Sequence, residues 1–150
     1  MDANDFFELA SRLAIRPSES ERRTAVGRAY YAAFHVAHDL VDAQFGVVVP
    51  INQAHNKLAF CLQNVTSSEK LSDAGRFLLS LRDARVIADY RLNDLLPSND
   101  DWAKLQVEIA HDVIKAIAAC AQEQDVSMVR NEVREYARTT LRCQLRDLQQ

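Results

Sequence analysis

A chain of 150 residues has the size of one domain, able to bury roughly 70% of its unfolded surface in a core without disulfide or metal staples. Three Gly, three Pro, 48% hydrophobic residues and only 7% aromatics favour helices over a sandwich, whose turns and β-branched runs need other residues. A net charge of −3 lacks the footprint of a duplex-binding protein, and Cys61, Cys120 and Cys143 are too scattered for a disulfide framework or a zinc cluster, so they predict reduced thiols.

The N-terminus, MDANDFFELASRLAIR, opens with acids where a signal peptide carries bases, and no apolar run approaches about 18 residues. A soluble, cytoplasmic protein with no membrane partner is expected. Residues 3 to 14 read as a short amphipathic helix carrying Phe6, Phe7, Leu9 and Leu13, broken by Pro17. Ser18 with Glu21 three residues on is a capping-box signal for a second helix running to Phe45, with Gly46 placed for a left-handed cap. GVVVPI then predicts either a short extended piece or a buried loop. A third helix is expected over Asn52 to Val65, and a fourth from the Thr66 to Glu69 cluster to about Arg91. A fifth starts at Pro97 and Ser98, with Asp101 three positions on, and runs to about Cys120. Asp125 to Ser127 marks a boundary before a last helix over about 127 to 148, unless the fifth and sixth run together. The sum is a single all-α domain over 1 to 150, an up-and-down bundle of five or six helices.

Within the second helix the stretch RAYYAAFH places Arg28 and His35 seven positions apart, about 20° in azimuth and roughly 10 Å along the axis. Arg28, His35, Asp39 and Asp42 make a polar stripe, with Thr24 and Ala32 beside it. Val26, Ala29, Tyr30, Ala33, Ala37, Leu40 and Val41 fill the apolar back. His35 and Asp39 are an i to i+4 pair, so the carboxylate is placed to orient the imidazole. Periodicity alone assigns the stripe to solvent.

RAYYAAFH, then a histidine in QAHNKL (His55), then RDARVIADY with Arg85, Ala88, Asp89 and Tyr90, resembles an uncharacterised prokaryotic branch of the HEPN domains, in which these motifs follow in this order. The resemblance covers about residues 20 to 95. It implies a small helical bundle that commonly forms homodimers. It also implies one of two activities. Many HEPN domains are metal-independent ribonucleases with an Arg and a His four to six residues apart. Others are nucleotide-binding or partner-binding modules beside nucleotidyltransferases, in toxin-antitoxin or defence systems. Arg28 and His35, with six residues between them, fit the ribonuclease spacing. The resemblance therefore nominates Arg28 and His35 as catalytic, Asp39 as the orienting group, and Tyr31, His55, Arg85, Asp89 and Tyr90 as binding positions, with no metal and no cofactor.

The chemistry of such a pair is coherent. A histidine with a pKa of about 6.5 can take a proton from a ribose 2′-hydroxyl or give one to the leaving oxygen, while an arginine neutralises the phosphate. One histidine is short of an acid and a base, and a symmetric dimer joining two stripes would supply the second. Ribonuclease members carry a polar residue after the arginine and place the pair in a late helix, whereas here Ala29 follows it in the second. That ordering puts a module binding a nucleotide or a partner protein, such as a nucleotidyltransferase or antitoxin, ahead of an RNA-cleaving enzyme. A structural dimerisation bundle stands third.

Four further features are read from spacing. His55, at the start of helix three, serves either a loop-fixing hydrogen bond or the site. Arg85 and Asp89 predict an i to i+4 ion pair, with Tyr90 packed on a neighbouring helix. His38 and His111 have no recognisable partner. Arg130, Arg134, Arg138, Arg142 and Arg146 recur every fourth residue, a ladder that either faces water, contacts phosphates or meets a second subunit.

Overall fold

A computed structural model of the protein describes residues 1–124 and 126–149; Asp125, the first residue of the expected boundary, lies outside them. Among the described residues are six α-helices: α1 (Ala3–Ala14), α2 (Glu19–His38), α3 (Ala54–Gln63), α4 (Glu69–Tyr90), α5 (Asp100–Ala121) and α6 (Ser127–Thr139). Two short antiparallel strands, β1 (Val47–Val48) and β2 (Gln144–Leu145), complete the regular structure. The protein is an all-α bundle. No helix among the described residues is long and apolar enough to cross a membrane.

α2 is its axis. It packs against α1, α4 and α5, and its expected apolar back is fully buried. Its alanines let neighbouring helices approach closely, and Ala32, placed on the polar stripe by periodicity, is as buried as the rest. The reason is α1, which lies over that side. α1 opens on a capping box: the Asp2 carboxylate accepts the amides of Asn4 and Asp5, and the Asp5 side chain accepts the Asp2 amide. This fixes where Phe6 and Phe7 fall one turn later.

Two adjacent arginines near the start of α2 act as internal clamps. Arg23, 10% exposed, donates to the carbonyls of Ile87, Ala88, Arg91, Leu92 and Asp94 at the end of α4, and pairs with Glu19 at 2.8 Å. Arg22 donates to the carbonyls of Pro17, Pro97 and Ser98 and pairs with Asp100 at 3.1 Å. Carbonyls at the end of α4 and in the loops around it thus accept charge-assisted bonds from two buried guanidiniums. The sequence reading assigned neither residue.

Several boundaries differ from expectation. Ser18 makes no cap: its hydroxyl pairs with that of Ser20 at 2.7 Å, and Glu21 is drawn to Arg16 at 3.3 Å instead of to the helix start. The second helix is α-helical only to His38. Asp39–Gln44 forms a π-helical turn, closed by the Phe45 amide on the Leu40 carbonyl at 2.9 Å. Gly46 does take the expected left-handed conformation, φ 69°. GVVVPI resolves into β1 followed by a 3₁₀ turn at Ile51–Gln53, which delays α3 to Ala54. Ser68 caps α4 and Asn99 caps α5, the latter after a 3₁₀ turn at Leu96–Ser98.

The largest difference is at the C-terminus. α6 stops at Thr139, not near 148. Arg142 adopts φ 57°, and the chain doubles back so that β2 pairs with β1, the Arg146 amide reaching the Gly46 carbonyl at 2.7 Å. The five-arginine ladder is therefore not one helical strip. Arg134 donates to the carbonyls of Phe45 and Arg146, Arg146 binds the Asp42 carboxylate at 2.6 Å, and Arg138 pairs with Glu135 at 2.9 Å. At least Arg134 and Arg146 serve to strap the tail onto the π-helical turn. The three cysteines are free and buried.

Candidate functional site

The three motifs that carry the sequence resemblance converge in space. α2 supplies Arg28, Tyr30, Tyr31, Phe34 and His35, α3 supplies His55, and α4 supplies Arg82, Arg85 and Asp89. α1 contributes Phe6, which stacks on His35 with ring centroids 5.6 Å apart and planes 7° from parallel. Arg28 lies over the same Phe6 ring at 5.2 Å. The face of α2 expected to meet water is thus half covered by an aromatic ring of α1, leaving Arg28 half-buried and His35 exposed.

Tyr31 is the centre of the group. Two guanidinium carbons approach its ring, Arg28 at 5.5 Å and Arg85 at 5.2 Å, within cation–π range. Arg85 is neutralised by Asp89 at 3.2 Å, the expected i to i+4 ion pair. Arg28 has no carboxylate or hydrogen-bond acceptor among the described residues. An arginine left unpaired at a ring that a second arginine also approaches is a local surplus of positive charge, and an anion would relieve it.

His55 is held by Tyr30, whose hydroxyl lies 2.5 Å from the His55 Nδ1. Burial, only partly opposed by Arg85, raises the Tyr30 pKa, so the phenol keeps its proton. It has no other acceptor among the described residues, so it must donate to Nδ1. His55 then carries its own proton on Nε2 and presents a donor. The loop-fixing role expected for His55 and its place in the site are the same bond.

Both imidazoles are held below their usual pKa near 6.5: His35 by burial and then by His38, His55 by burial and then by Arg85 and Arg82. Both are neutral near pH 7. The sign for stability follows, since the unfolded chain takes up these protons first as pH falls. The two histidines contribute in full above about pH 6.5, and that contribution is lost as pH drops through their folded values. Melting temperatures measured from pH 7.5 down to 5.5 should fall, and a His35→Asn, His55→Asn variant should show a shallower fall.

Other expected members are placed differently. The Asp39 amide keeps the α-helical bond to the His35 carbonyl, but its carboxylate accepts the Gln44 side-chain amide at 3.3 Å and makes no side-chain bond to His35. Asp42 is taken by Arg146. Tyr90 does not pack on a neighbouring helix: it is 69% exposed at the last residue of α4, with Arg85 5.8 Å from its ring. His111 stacks on Phe7 at 5.3 Å, and His38 lies beside Phe34. Phe6 and Arg82 belong to the group although the sequence reading gave them no role in it. For Arg82 a signal existed, since it lies three residues before Arg85 on the same side of α4.

Phe34 and Tyr31 are shared ring neighbours of His35 and His55. Grooves elsewhere on the chain lie along α4 and α5, at both ends of α1 and beside the first turns of α5. Among the described residues no group of three or more His, Cys, Asp or Glu is placed to hold a metal ion. Compared with family models, with curated proteins and with solved structures, the chain matches none.

Proposed function

We propose that the protein is a HEPN-like module that binds a nucleotide at the surface formed by Arg28, Tyr31, His55 and Arg85, either alone or as presented by a partner such as a nucleotidyltransferase or antitoxin. The observation that carries this reading is the unpaired guanidinium of Arg28 beside Arg85, both against Tyr31. A phosphate supplies the missing counter-charge and accepts bidentate bonds from Arg28. The Nε2–H of His55 adds a neutral donor, and the exposed ring edges offer a surface on which a base can stack.

Calorimetric titration of the full chain with ATP tests it. Charge-assisted bonds contribute about 1.5–3 kcal/mol, so Arg28→Ala should weaken binding roughly 10- to 100-fold, and Arg28→Lys should recover only part. Binding that Arg28→Ala leaves unchanged would exclude the surface.

A second reading, the metal-independent ribonuclease, is favoured by one observation: His35 and His55 of one chain lie against the same two rings, Tyr31 and Phe34, without a second subunit. His35, neutral at pH 7, can act as base toward a 2′-hydroxyl. His55, with its tautomer set by Tyr30, serves as a donor to the phosphate and not as a base. Labelled RNA incubated in chelator should then yield 2′,3′-cyclic phosphate ends that vanish with His35→Ala. RNA left intact leaves the binding module alone.

A further inference from the structure

We propose that Cys61 and Cys143 are a modification site, at which a peroxide joins the two sulfurs in a disulfide that fastens the C-terminal tail to α3. The pair shares no residue with the Arg28 surface and does not depend on the nucleotide reading. Two contacts set how α3 lies against α6 and the tail. The Lys57 ammonium donates to the Leu141 carbonyl at 3.3 Å, and the Thr66 amide and hydroxyl donate to the Glu132 carboxylate at 2.7 and 2.9 Å. The two segments therefore run in opposite senses, and Cys61, one turn beyond Lys57 on the same face of α3, falls opposite the last turn of α6. Cys143 reaches that level from the other direction: the left-handed Arg142 turns the chain back, and the Cys143 amide bonds the Ala137 carbonyl at 2.9 Å. Both cysteines belong to the one hydrophobic core, and both are free thiols.

The two thiols are unequal, and that sets the order of events. Cys61 is 0% exposed, and burial, then the charge of Cys143, push its thiol up to about 12 against the opposing charge of Lys57. It is no target for a peroxide in solution. Cys143 is 8% exposed, in a terminal segment held by a two-residue strand pair and a few side-chain bonds, the kind of segment that opens locally at small cost. Its sulfur attacks one peroxide oxygen, the O–O bond breaks, and the other oxygen leaves as water with the thiol proton, giving a sulfenic acid. The charge of Cys143 that opposed ionisation of Cys61 is then gone, while Lys57 remains. The Cys61 sulfur attacks the sulfenic sulfur, the S–O bond breaks, and the hydroxyl leaves as a second water with the Cys61 proton. Two thiols lose two electrons and two protons, and one peroxide becomes two waters. A dithiol reductant reverses the bond.

Treating the folded full chain with hydrogen peroxide, blocking the remaining thiols with an alkylating agent and mapping the peptides by mass spectrometry tests this. The expected product is a monomer about 2 Da lighter before alkylation, with Cys61 linked to Cys143 and Cys120 alkylated. Its melting temperature should stand roughly 5–10 °C above that of the reduced chain, because the bond closes a loop of about eighty residues, and dithiothreitol should abolish the difference. Cys61→Ala, shown to be folded by circular dichroism, should carry Cys143 on to the sulfinic acid for want of a resolving thiol, whereas Cys143→Ala should leave Cys61 reduced. Cys120→Ala should form the same link as the wild type. A folded wild-type chain whose Cys143 becomes a sulfinic acid while Cys61 is alkylated, whose disulfide contains Cys120, or whose three thiols stay unreacted overturns the proposal.

Discussion

Arg23→Ala is expected to lower stability by about 3–4 kcal/mol and the melting temperature by roughly 10 °C. The guanidinium of Arg23 serves five carbonyls between Ile87 and Asp94, and no other side chain donates to them among the described residues. Removing it leaves acceptors at the C-terminal end of α4 that water reaches only in part, each costing about 1–3 kcal/mol if left unmade. Some of them would hydrate, which is why the sum is not additive. Arg23→Lys should recover less than half, since an ammonium has three donors and no planar fork to spread over five acceptors. Urea unfolding followed by circular dichroism checks both variants. Because the clamp sets the end of α4, Asp89 and Arg85 should shift with it, and nucleotide binding should weaken even in the folded fraction.

Gly75→Ala is expected to cost up to about 2 kcal/mol net despite the better helix propensity of alanine. A Cβ at Gly75 would lie 2.4 Å from the Gln63 backbone nitrogen and 2.7 Å from the Ala59 carbonyl oxygen. These are backbone atoms of α3 and cannot rotate away, so the two helices must separate. Overpacking of this kind costs about 1–3 kcal/mol, whereas replacing a helical Gly gains only about 1. A larger side chain at the same place should prevent folding at ordinary temperature. The contact matters to the site because α3 carries His55 and α4 carries Arg85, and their approach is what sets the His55 ring among Tyr30, Arg82 and Arg85. A denaturant midpoint for Gly75→Ala equal to that of the wild type would show that the helices separate at no cost.

Much of the fold was legible because local signals agreed with the tertiary outcome. Phe6, Phe7, Leu9 and Leu13 at helical spacing before Pro17 mark residues 3 to 14, the extent of α1; Gly46 sits at the left-handed turn that only its lack of Cβ makes cheap. The apolar back of α2 follows from the 3.6-residue period. The unread parts depend on distance in sequence. Arg22 and Arg23 follow a helix start, where exposed arginines are ordinary, and their burial comes from loops more than sixty residues away. The covering of Arg28 and His35 by Phe6 depends on how α1 docks on α2, which a single-helix projection does not contain. The end of α6 carries neither Gly nor Pro. There a non-glycine residue, Arg142, takes a left-handed conformation costing about 1–2 kcal/mol, offset by strand pairing with residues nearly a hundred positions earlier.

The candidate site was legible in its membership and not in its connections. Arg28, His35, His55, Arg85 and Tyr31 were all named from motifs, and they meet. The expected His35–Asp39 side-chain pair is absent although the Asp39 amide still bonds the His35 carbonyl: the carboxylate takes the side-chain amide of Gln44, which the π-helical turn brings to it. What replaces it is the Tyr30–His55 bond, which joins the apolar back of α2 to the polar side of α3 and fixes which nitrogen of His55 bears its proton.

The central claim is that phosphate is received by Arg28 with Arg85 and His55 around Tyr31. An NMR titration of the full, nitrogen-15-labelled chain with ATP, following the side-chain Nε–H of Arg28 and Arg85 and the ring nitrogens of His35 and His55, tests it most directly. Saturable shifts at Arg28, Arg85 and His55, abolished by Arg28→Ala, are the predicted result; a titration that leaves these signals in place, or moves only the arginines of α6, would contradict it.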